Sequence, residues 1–313
     1  MIVTDAQLRE LESGAYGLTE RNALMAAHTT FRVGGPADLF IEPTAEKEFV
    51  RCVRFLHAES IPYLLVGNGS NLLVRDGGIR GVVIHLGKYY SDAVIDGRMI
   101  RAQAGMGLAA VSKMSFRAGL TGMEPLSGIP GSVGGAVTMN AGAYGQEMQQ
   151  VVCGVRALNA KGEIVELSAD ELKFSYRHSR LLTEKLFASE VLFCLARGEE
   201  MEIQASYADY TMRRQSKQPL ELPSAGSTFK RPPGNYASAL IDQAGLRGLS
   251  VGAAQVSEKH CGFIVNRGGA SAAEILALIQ KVQERVAEKF GVQLEPEVRI
   301  IGEELCGSSS SQE

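Results

Sequence analysis

The sequence predicts an α+β fold, because antiparallel hairpins and amphipathic helices follow one another without the repeated strand–helix–strand order of a doubly wound sheet. Asp96-Gly97 and Asn159-Ala160-Lys161-Gly162 are turn sequences between apolar segments, and they predict two hairpins. Ser271 and Glu274 form a capping box ahead of a long apolar stripe that ends at Gly291. This last segment predicts the clearest helix of the chain.

The remaining elements follow from apolar periodicity and from proline and glycine breaks. In chain order, the sequence predicts a helix from near Thr44 to Pro62, strands at 63–66, 72–74 and 82–86, a helix at 108–117, a strand at 190–197, a helix at 201–216, a loop at 218–234, a helix capped by Asn235 that runs to Gln243, and a strand at 261–266.

Length and composition limit the classes of protein. A chain of 313 residues predicts about two domains or three small ones, and a net charge of −3 does not indicate a nucleic-acid surface. No apolar run reaches the length of a membrane span, and the N-terminus lacks a signal-peptide pattern. The cysteine count is odd and no C-x-x-C pair occurs, so we expect buried, reduced thiols and a cytoplasmic protein. The scattered histidines predict no metal site.

One run, Gly128–Gly145, contains six glycines and no charged side chain. A solvent-exposed loop would normally carry charge, and a buried strand would not tolerate so much glycine. The run therefore predicts backbone that approaches a ligand closely, with N–H groups around Gly131 to Gly135 facing a phosphate or a cofactor ring. A tight turn between two packed layers is the alternative, and glycine content alone favours it.

Other motifs are ambiguous when taken singly. Gly105–Ala110 matches the loose dinucleotide fingerprint, but the preceding strand belongs to a hairpin, so we interpret it as a strand-to-helix turn. The loop Gly67–Asn71 is no P-loop, because no Gly-Lys-Ser/Thr follows it, and its sequence fits a tight structural loop and an anion-binding loop equally well. The segments 174–179, 224–232 and 294–302 place an arginine, hydroxyls and carboxylates in polar clusters, each of which has an ordinary structural explanation.

Together, these segments resemble the bacterial UDP-N-acetylenolpyruvoylglucosamine reductase family, a flavoenzyme family of peptidoglycan synthesis. The resemblance runs from about His28 to Gly302. It rests on residues 29–37, 67–74 and 128–145, on Tyr176-Arg177, on Gly226-Ser227 with Phe229-Lys230, and on residues 294–302.

The resemblance implies a two-part FAD-binding region of the vanillyl-alcohol-oxidase (PCMH) type and a C-terminal α+β substrate-binding domain. We expect FAD-binding subdomains at 1–86 and 87–200, the substrate domain at 201–303 and a disordered tail at 304–313. FAD is expected to bind noncovalently, with NADPH as co-substrate. The expected partner is a UDP-sugar substrate, with no nucleic acid or membrane, and the chain is expected to be a monomer.

The family's motifs also imply the site residues. Hydride addition to C3 of the enolpyruvyl ether places negative charge on C2 and the carboxylate. Arg177 and Glu297 would stabilise that charge, and Ser227 would donate a proton to C2. Tyr176, Lys217 and Arg231 match substrate-contacting positions, although some members carry Asn in place of Arg231. The implied cofactor-binding residues are Gly67, Asn68, Gly69, Ser70, Asn71, Gly128, Ile129, Pro130, Gly131, Gly134, Gly135, Asn140 and Gly142.

Arg177 and Lys217 are forty residues apart. The chain therefore resembles the shorter, second type of the family, which lacks the insert whose tyrosine closes over the UDP moiety. An oxidase on the same fold and a nonenzymatic flavin-binding or nucleotide-binding module are the alternatives. The first is disfavoured because no His or Cys stands in an obvious position for covalent flavin attachment. The second is disfavoured because all three catalytic positions are present.

Overall fold

The structure is a computed structural model that describes residues 3–305. Its α-helices are α1 (Asp5–Leu11), α2 (Glu46–Ala58), α3 (Leu108–Arg117), α4 (Val133–Thr138), α5 (Arg180–Thr183), α6 (Glu200–Lys217), α7 (Ala237–Gln243) and α8 (Ala272–Phe290). Its strands are β1 (Leu18–Leu24), β2 (Pro36–Glu42), β3 (Tyr63–Val66), β4 (Leu72–Val74), β5 (Ile79–His85), β6 (Ala93–Asp96), β7 (Met99–Gln103), β8 (Leu120–Thr121), β9 (Gly142–Ala143), β10 (Gln146–Glu147), β11 (Val152–Leu158), β12 (Ile164–Ser168), β13 (Phe187–Cys194), β14 (Ala196–Arg197), β15 (Ser250–Val251), β16 (Ala254–Val256), β17 (Ile264–Asn266) and β18 (Arg299–Ile301).

The chain forms two compact units, each assembled from separate segments. The larger unit contains the residues up to Arg21, Leu39–Asn68 and Gly81–Arg214. The smaller unit contains Asn22–Asp38, Gly69–Arg80 and the residues from Gln215 onward. Among residues 3–305, every helix is too short or too polar to span a lipid bilayer.

The larger unit contains a five-stranded antiparallel sheet with the strand order β12-β11-β13-β7-β6. Its two terminal pairs confirm both predicted hairpins. The strands β3 and β5 pair in parallel and belong to a four-stranded sheet with the order β1-β2-β5-β3. Helix α2 contributes an apolar stripe that is fully buried in the core, as its periodicity predicts: Phe49, Cys52, Val53 and Leu56.

The smaller unit combines the three-stranded antiparallel sheet β15-β16-β17 with the long helix α8. The predicted capping box is present, since the Ser271 side chain accepts from the Glu274 amide, and Gly291 ends the helix with a φ of 68°. β4 pairs in parallel with β18, so that Leu72 lies opposite Arg299. This unit is therefore discontinuous in sequence, because one of its strands, β4, comes from the first third of the chain.

Several elements differ from the prediction. Helix α4 lies inside the glycine-rich run, where no helix is predicted, because Gly134 and Gly135 are poor helix formers. Its side chains at Val133, Ala136 and Val137 are buried, which offsets that weak propensity. The sequence prediction also omits α1, β1 and β2. Helix α7 begins at Ala237, after Tyr236, so Asn235 is not its cap.

The prediction of uniformly reduced thiols is wrong for one pair. Cys153 and Cys194 form a disulfide, with Cα atoms 5.8 Å apart. They meet because β11 pairs with β13, a contact between residues 41 positions apart that local sequence does not reveal. Cys52 and Cys261 are free and buried, as expected. Cys306 lies outside the described residues, as does the part of the predicted tail 304–313 from residue 306 onward.

Candidate active site

The loop after β3 meets the glycine-rich run within the larger unit. A Cβ atom added to Gly67 would overlap the hydroxyl of Ser132, so only glycine permits this approach. Asn68 donates from Nδ2 to the carbonyl of Pro130 at 3.1 Å. Two segments that the sequence places more than sixty residues apart are therefore in contact within the same unit.

The start of the run is held by the strand-to-helix turn before α3. Val133 donates its amide to Met106 at 2.7 Å, and Gly134 donates to Ala104 at 2.8 Å. A Cβ on Gly134 would lie 2.8 Å from that of Ala104, so this glycine also serves close packing. Fewer amides between Gly131 and Gly135 are therefore free than the sequence predicts, since the N–H groups of Val133 and Gly134 have acceptors within the protein.

The amides of Gly131 and Ser132, just before α4, remain available for a ligand. Within the described residues 3–305, the N–H groups of Gly131 and Ser132 have no hydrogen-bond acceptor. Gly135 donates to the Ser132 hydroxyl at 3.4 Å, which caps α4. An anion or a polar ring edge at Gly131 and Ser132 would satisfy both unpaired donors.

Arg177 lies in a tight turn whose ends, Ser175 and His178, exchange backbone hydrogen bonds of 3.0 and 3.1 Å. Its backbone has a φ of 54°, a left-handed conformation that is uncommon for residues other than glycine. The guanidinium lies 5.0 Å from the centre of the Tyr176 ring, and Nη2 donates to the carbonyl of Gly142 at 3.5 Å. Tyr176 is 52% exposed. The turn thus presents an arginine and an aromatic ring beside the far end of the run.

Asn140 connects the run to this turn. Its side chain is fully buried, and Nδ2 donates to Glu147 Oε2 at 2.9 Å and to the carbonyl of Ser175 at 3.1 Å. Its Oδ1 accepts from the amide of Gln149 at 3.0 Å. Both N–H donors of the amide are therefore used inside the protein. The structure gives this predicted cofactor ligand a role in positioning the Arg177 turn.

Ser227 lies in the smaller unit between a left-handed glycine and a buried threonine. Gly226 has a φ of 75°, which turns the chain immediately before the serine. Thr228 is anchored by its amide to the carbonyl of Gly262 at 2.8 Å and by its hydroxyl, which accepts from the Ile264 amide at 3.1 Å. Ser227 itself is exposed, so its hydroxyl is accessible to a ligand.

The same backbone joins Ser227 to Glu297. The amide of Glu297 donates to the carbonyl of Thr228 at 2.8 Å, and the amide of Lys230 donates to Glu295 at 2.8 Å. These bonds form a short antiparallel bridge between the two segments. The structure therefore brings two of the three predicted catalytic residues into neighbouring positions, although they are 70 residues apart in the sequence.

The second half of the predicted cofactor loop, Gly69–Asn71, is also part of the smaller unit. Asn71 donates from Nδ2 to the carbonyl of Glu297 at 3.2 Å and accepts from the amide of Arg299 at 2.9 Å. Gly69 has a φ of 60°, and a Cβ there would overlap the carbonyl of His28. This loop therefore fixes the strand segment that carries Glu297.

The remaining predicted substrate residues lie in the smaller unit. Lys217 is the exposed last residue of α6. The guanidinium of Arg231 lies 4.1 Å from the centre of the Tyr236 ring, which is 59% exposed. Sequence reasoning missed Tyr236. Its position directly after the turn Pro232-Pro233-Gly234-Asn235, and only five residues from Arg231, is the signal that could have indicated it.

A histidine supports the segment behind Ser227. His260 Nδ1 accepts from the amide of Gly262 at 3.1 Å, and the carbonyl of Gly262 is the acceptor for Thr228. The His260 ring packs edge-on against Phe263, with centroids 5.0 Å apart. Burial lowers the pKa of His260 below its ordinary value of 6.5, so the neutral imidazole that can accept this bond is favoured.

Comparisons with known proteins agree with these features. A family profile described as "FAD binding domain" matches residues 37–168, which include Gly67, Asn68 and the run through Gly142. A second profile, "UDP-N-acetylenolpyruvoylglucosamine reductase, C-terminal domain", matches residues 218–301, which include Ser227 and Glu297. These matches confirm the predicted FAD-binding region, the C-terminal domain and the cofactor class.

Whole-chain relatives lead to the same family. The UDP-N-acetylenolpyruvoylglucosamine reductase of Caldanaerobacter subterraneus is 46% identical over 302 residues, 96% of this chain and 99% of its own. That of Clostridium botulinum strain Hall is 50% identical over 280 residues, 90% and 91% of the two chains. The crystal structure of the Thermus caldophilus reductase matches with a TM-score of 0.79 and 37% identity, covering 90% of this chain and 98% of that one. The chain belongs to the UDP-N-acetylenolpyruvoylglucosamine reductase family.

Proposed function

We propose that this chain catalyses the NADPH-dependent reduction of UDP-N-acetylglucosamine enolpyruvate to UDP-N-acetylmuramate through bound FAD, a step of peptidoglycan synthesis. The observation that carries the proposal is the bridge that sets Ser227 beside the segment of Glu297, through the 2.8 Å bond from Glu297 N to Thr228 O. Reduction of the enol ether requires a proton donor at C2, which the Ser227 hydroxyl would supply, and a neighbouring carboxyl group would assist when it carries a proton.

The residues present fit FAD. Gly67 leaves room for close backbone approach to Ser132, and the amides of Gly131 and Ser132 are available within the described part of the chain. We infer that these groups, with Asn68, hold the coenzyme noncovalently. When bound, FAD supplies hydride transfer from NADPH to C3 of the enolpyruvyl group.

The protein's own groups would manage the charge and the proton. Ser227 would donate its hydroxyl proton to C2, and its exposure together with the rigid anchoring of Thr228 supports this role. Serine is a weak acid, so it can act only because the intermediate is strongly basic. Arg177 would stabilise the negative charge on the substrate carboxylate by a charge-assisted hydrogen bond. Glu297 would assist if it carries or shares a proton.

Tyr176, Lys217 and Arg231 are proposed to bind the UDP-sugar. The two cations would attract the diphosphate, and the exposed ring of Tyr176 offers an apolar face to the sugar. We also propose that the enzyme acts in the cytoplasm, where NADPH and nucleotide sugars are made, and that it is a monomer. Sedimentation at assay concentrations checks the oligomeric state.

The first test is the absorbance spectrum of the purified protein. It should be yellow, with the bands of oxidised flavin. NADPH should bleach these bands, and UDP-N-acetylglucosamine enolpyruvate should restore them without oxygen. A folded protein that takes up no FAD would overturn the cofactor assignment.

The second test separates the two half-reactions by stopped flow. Ser227→Ala should leave flavin reduction by NADPH unchanged and slow reoxidation by the enolpyruvyl sugar at least a hundredfold. Ser224→Ala, in the same loop, is the matched control and should preserve both rates. Equal reoxidation rates in Ser227→Ala and wild type would show that Ser227 is not the proton donor.

A further inference from the structure

The disulfide between Cys153 and Cys194 lies at the surface of the larger unit rather than in its core. Cys194 is exposed and Cys153 is partly exposed, whereas Cys52 and Cys261 are buried. Exposed disulfides are reduced more readily than buried structural ones, because a thiolate from solvent can reach them. The Cys194 sulfur is therefore the more accessible end of this bond.

A β-bulge brings the two cysteines together. Val152 of β11 pairs with Phe193, and the next paired residue, Gly154, lies opposite Leu192. Cys153 is therefore the extra residue of the bulge. In a regular register, Cys153 and Cys194 would be diagonal neighbours about 7–8 Å apart. The observed Cα separation of 5.8 Å is one that a disulfide can span.

Backbone hydrogen bonds would keep the two cysteines adjacent after reduction. Cys194 donates its amide to the carbonyl of Val151 at 2.9 Å and pairs with Met99 of β7. The carbonyl of Cys153 accepts from the amide of Ala169 at 3.0 Å. These contacts do not involve the sulfur atoms, so they persist when the S–S bond is cleaved. Two freed thiols would remain within reach of each other, which favours reoxidation.

We propose that Cys153 and Cys194 form a thiol–disulfide exchange site for low-molecular-weight thiols, attacked first at Cys194, and that exchange reversibly adjusts the stability of the protein. A solvent thiolate forms a bond to the Cys194 sulfur, and the electron pair of the broken S–S bond leaves on Cys153, which takes up a proton. A second thiolate attacks the small-molecule sulfur of the mixed disulfide. This step releases a small disulfide and the Cys194 thiolate, which is also protonated.

In sum, two small thiols are oxidised and the protein disulfide is reduced. A low-molecular-weight disulfide reverses both steps. The exchange needs no bound FAD, so its failure would leave the proposed function untouched.

The first experiment counts thiols in the folded, full-length chain. Cys306→Ser serves as the background, so that the thiols counted belong to the four described cysteines. After incubation with reduced glutathione, acid quenching, alkylation and peptide mass spectrometry should show new thiols at Cys153 and Cys194 but none formed by unfolding at Cys52 or Cys261. The rate should rise in proportion to the glutathione thiolate concentration, with near-ultraviolet circular dichroism unchanged.

The second experiment identifies the sulfur that is attacked. In the same background, Cys153→Ser leaves Cys194 alone, and Cys194→Ser leaves Cys153 alone. With oxidised glutathione, the mixed disulfide should form at least tenfold faster at Cys194 than at Cys153, because Cys194 is the more exposed residue. These two single variants are matched controls for each other.

The third experiment measures the effect on stability. Cleavage removes a cross-link between residues 41 positions apart, which gives the unfolded chain more freedom. Reduced glutathione should lower the melting temperature by at least about 3 °C, and oxidised glutathione should restore it. The double variant Cys153→Ser/Cys194→Ser lacks the bond, so the same treatment should leave its melting temperature unchanged.

Three results would overturn the proposal. The thiols of Cys153 and Cys194 could appear only after denaturation, which would show a closed structural disulfide. The mixed disulfide could form equally fast in the two single variants, or the melting temperature could stay constant while both thiols are freed.

Discussion

At the scale of single residues, the site depends on positions where a side chain must be absent. Gly67 is one such position, because an added Cβ would overlap the Ser132 hydroxyl. Gly107 is another glycine of the same unit, but an added Cβ there would meet no atom within 4 Å. The two glycines look alike in the sequence, and only the tertiary structure separates them.

We predict that Gly67→Ala weakens FAD binding at least tenfold, because Ser132 must move and its amide moves with it. Titration of the apoprotein with FAD measures the effect, and Gly107→Ala should bind normally. Ser132→Ala costs about 1 kcal/mol as a lost helix cap, but it removes the overlapping hydroxyl and leaves only the Cβ of residue 132, 3.0 Å from the added methyl group. The double variant Gly67→Ala/Ser132→Ala should therefore recover most of the affinity. If Gly67→Ala lowers FAD affinity by the same factor in wild type and in Ser132→Ala, the steric explanation is contradicted.

Asn140 shows what motif matching cannot provide. Its place in the run suggests a cofactor ligand, whereas its buried amide bonds Glu147, Ser175 and Gln149. A motif identifies which residues recur but not the direction in which each side chain points. The family's motifs predict that Ser227 and Glu297 share a site, while the anchoring role of Thr228 between them follows only from the structure.

Asn140→Ala should destabilise the protein by about 2 kcal/mol, because it removes the hydrogen bonds of a fully buried amide and leaves the Gln149 N–H without its acceptor. Urea denaturation measures this loss. The turn that carries Arg177 should also loosen, so kcat should fall in variants that still bind FAD. Gln149→Ala, an exposed side chain, is the control and should change stability by less than about 0.5 kcal/mol. Unchanged stability in Asn140→Ala would refute the positioning role.

At the scale of elements, hairpins and amphipathic helices were predictable because their signals are local. The turn Asp96-Gly97 and the capping box at Ser271 each specify structure within a few residues. Helix α4 was not predictable, since Gly134 and Gly135 oppose helix formation and burial of apolar neighbours supplies the missing stability. Long-range pairing, such as β4 with β18, leaves no local pattern at all.

The segment around β17 should make the smaller unit sensitive to mild acid. His260, which precedes this strand, has a depressed pKa in the folded protein. Below about pH 6.5 it therefore binds fewer protons in the folded than in the unfolded state. Its stabilising contribution is complete above pH 6.5 and is lost as the pH falls toward the folded pKa. Protonation would also remove the acceptor for the Gly262 amide.

We therefore predict that wild type loses more unfolding free energy than His260→Asn between about pH 7.5 and pH 5.5. Asparagine keeps a side-chain acceptor but does not titrate. Urea denaturation at the two pH values measures the difference. His57→Asn, at an exposed site on α2, should behave like wild type. Parallel pH dependence in wild type and His260→Asn would exclude this histidine as the sensitive group.

At the scale of the whole molecule, the units are assembled from segments that the chain order separates. The contiguous division at residues 86 and 200 remains a prediction. By contacts, however, residues 22–38 and 69–80 belong with the C-terminal segment. Phe31, Val33 and Leu73 are buried in the same hydrophobic cluster as Ile275 and Leu278 of α8. Sequence periodicity identifies each apolar stripe but does not show which stripes share a core.

This arrangement predicts that residues 215–305 do not fold alone, although the C-terminal family profile covers most of them. The fragment lacks β4, the partner of β18, and it lacks the Phe31 carbonyl that accepts from Asn266 at 3.1 Å. Its apolar core would therefore be open to water. Circular dichroism and amide NMR should show little fixed tertiary structure.

The complementary change in the whole protein is Leu73→Ala. Leu73 is fully buried in the core of the smaller unit, so we expect a loss of about 2–5 kcal/mol in unfolding free energy. Leu72→Ala, at the neighbouring and only partly buried position, should cost less. A fragment with dispersed amide resonances and cooperative unfolding, together with a near-neutral Leu73→Ala, would show that the C-terminal segment is an independent domain. The expected result instead makes the early segments part of the fold that carries Ser227 and Glu297.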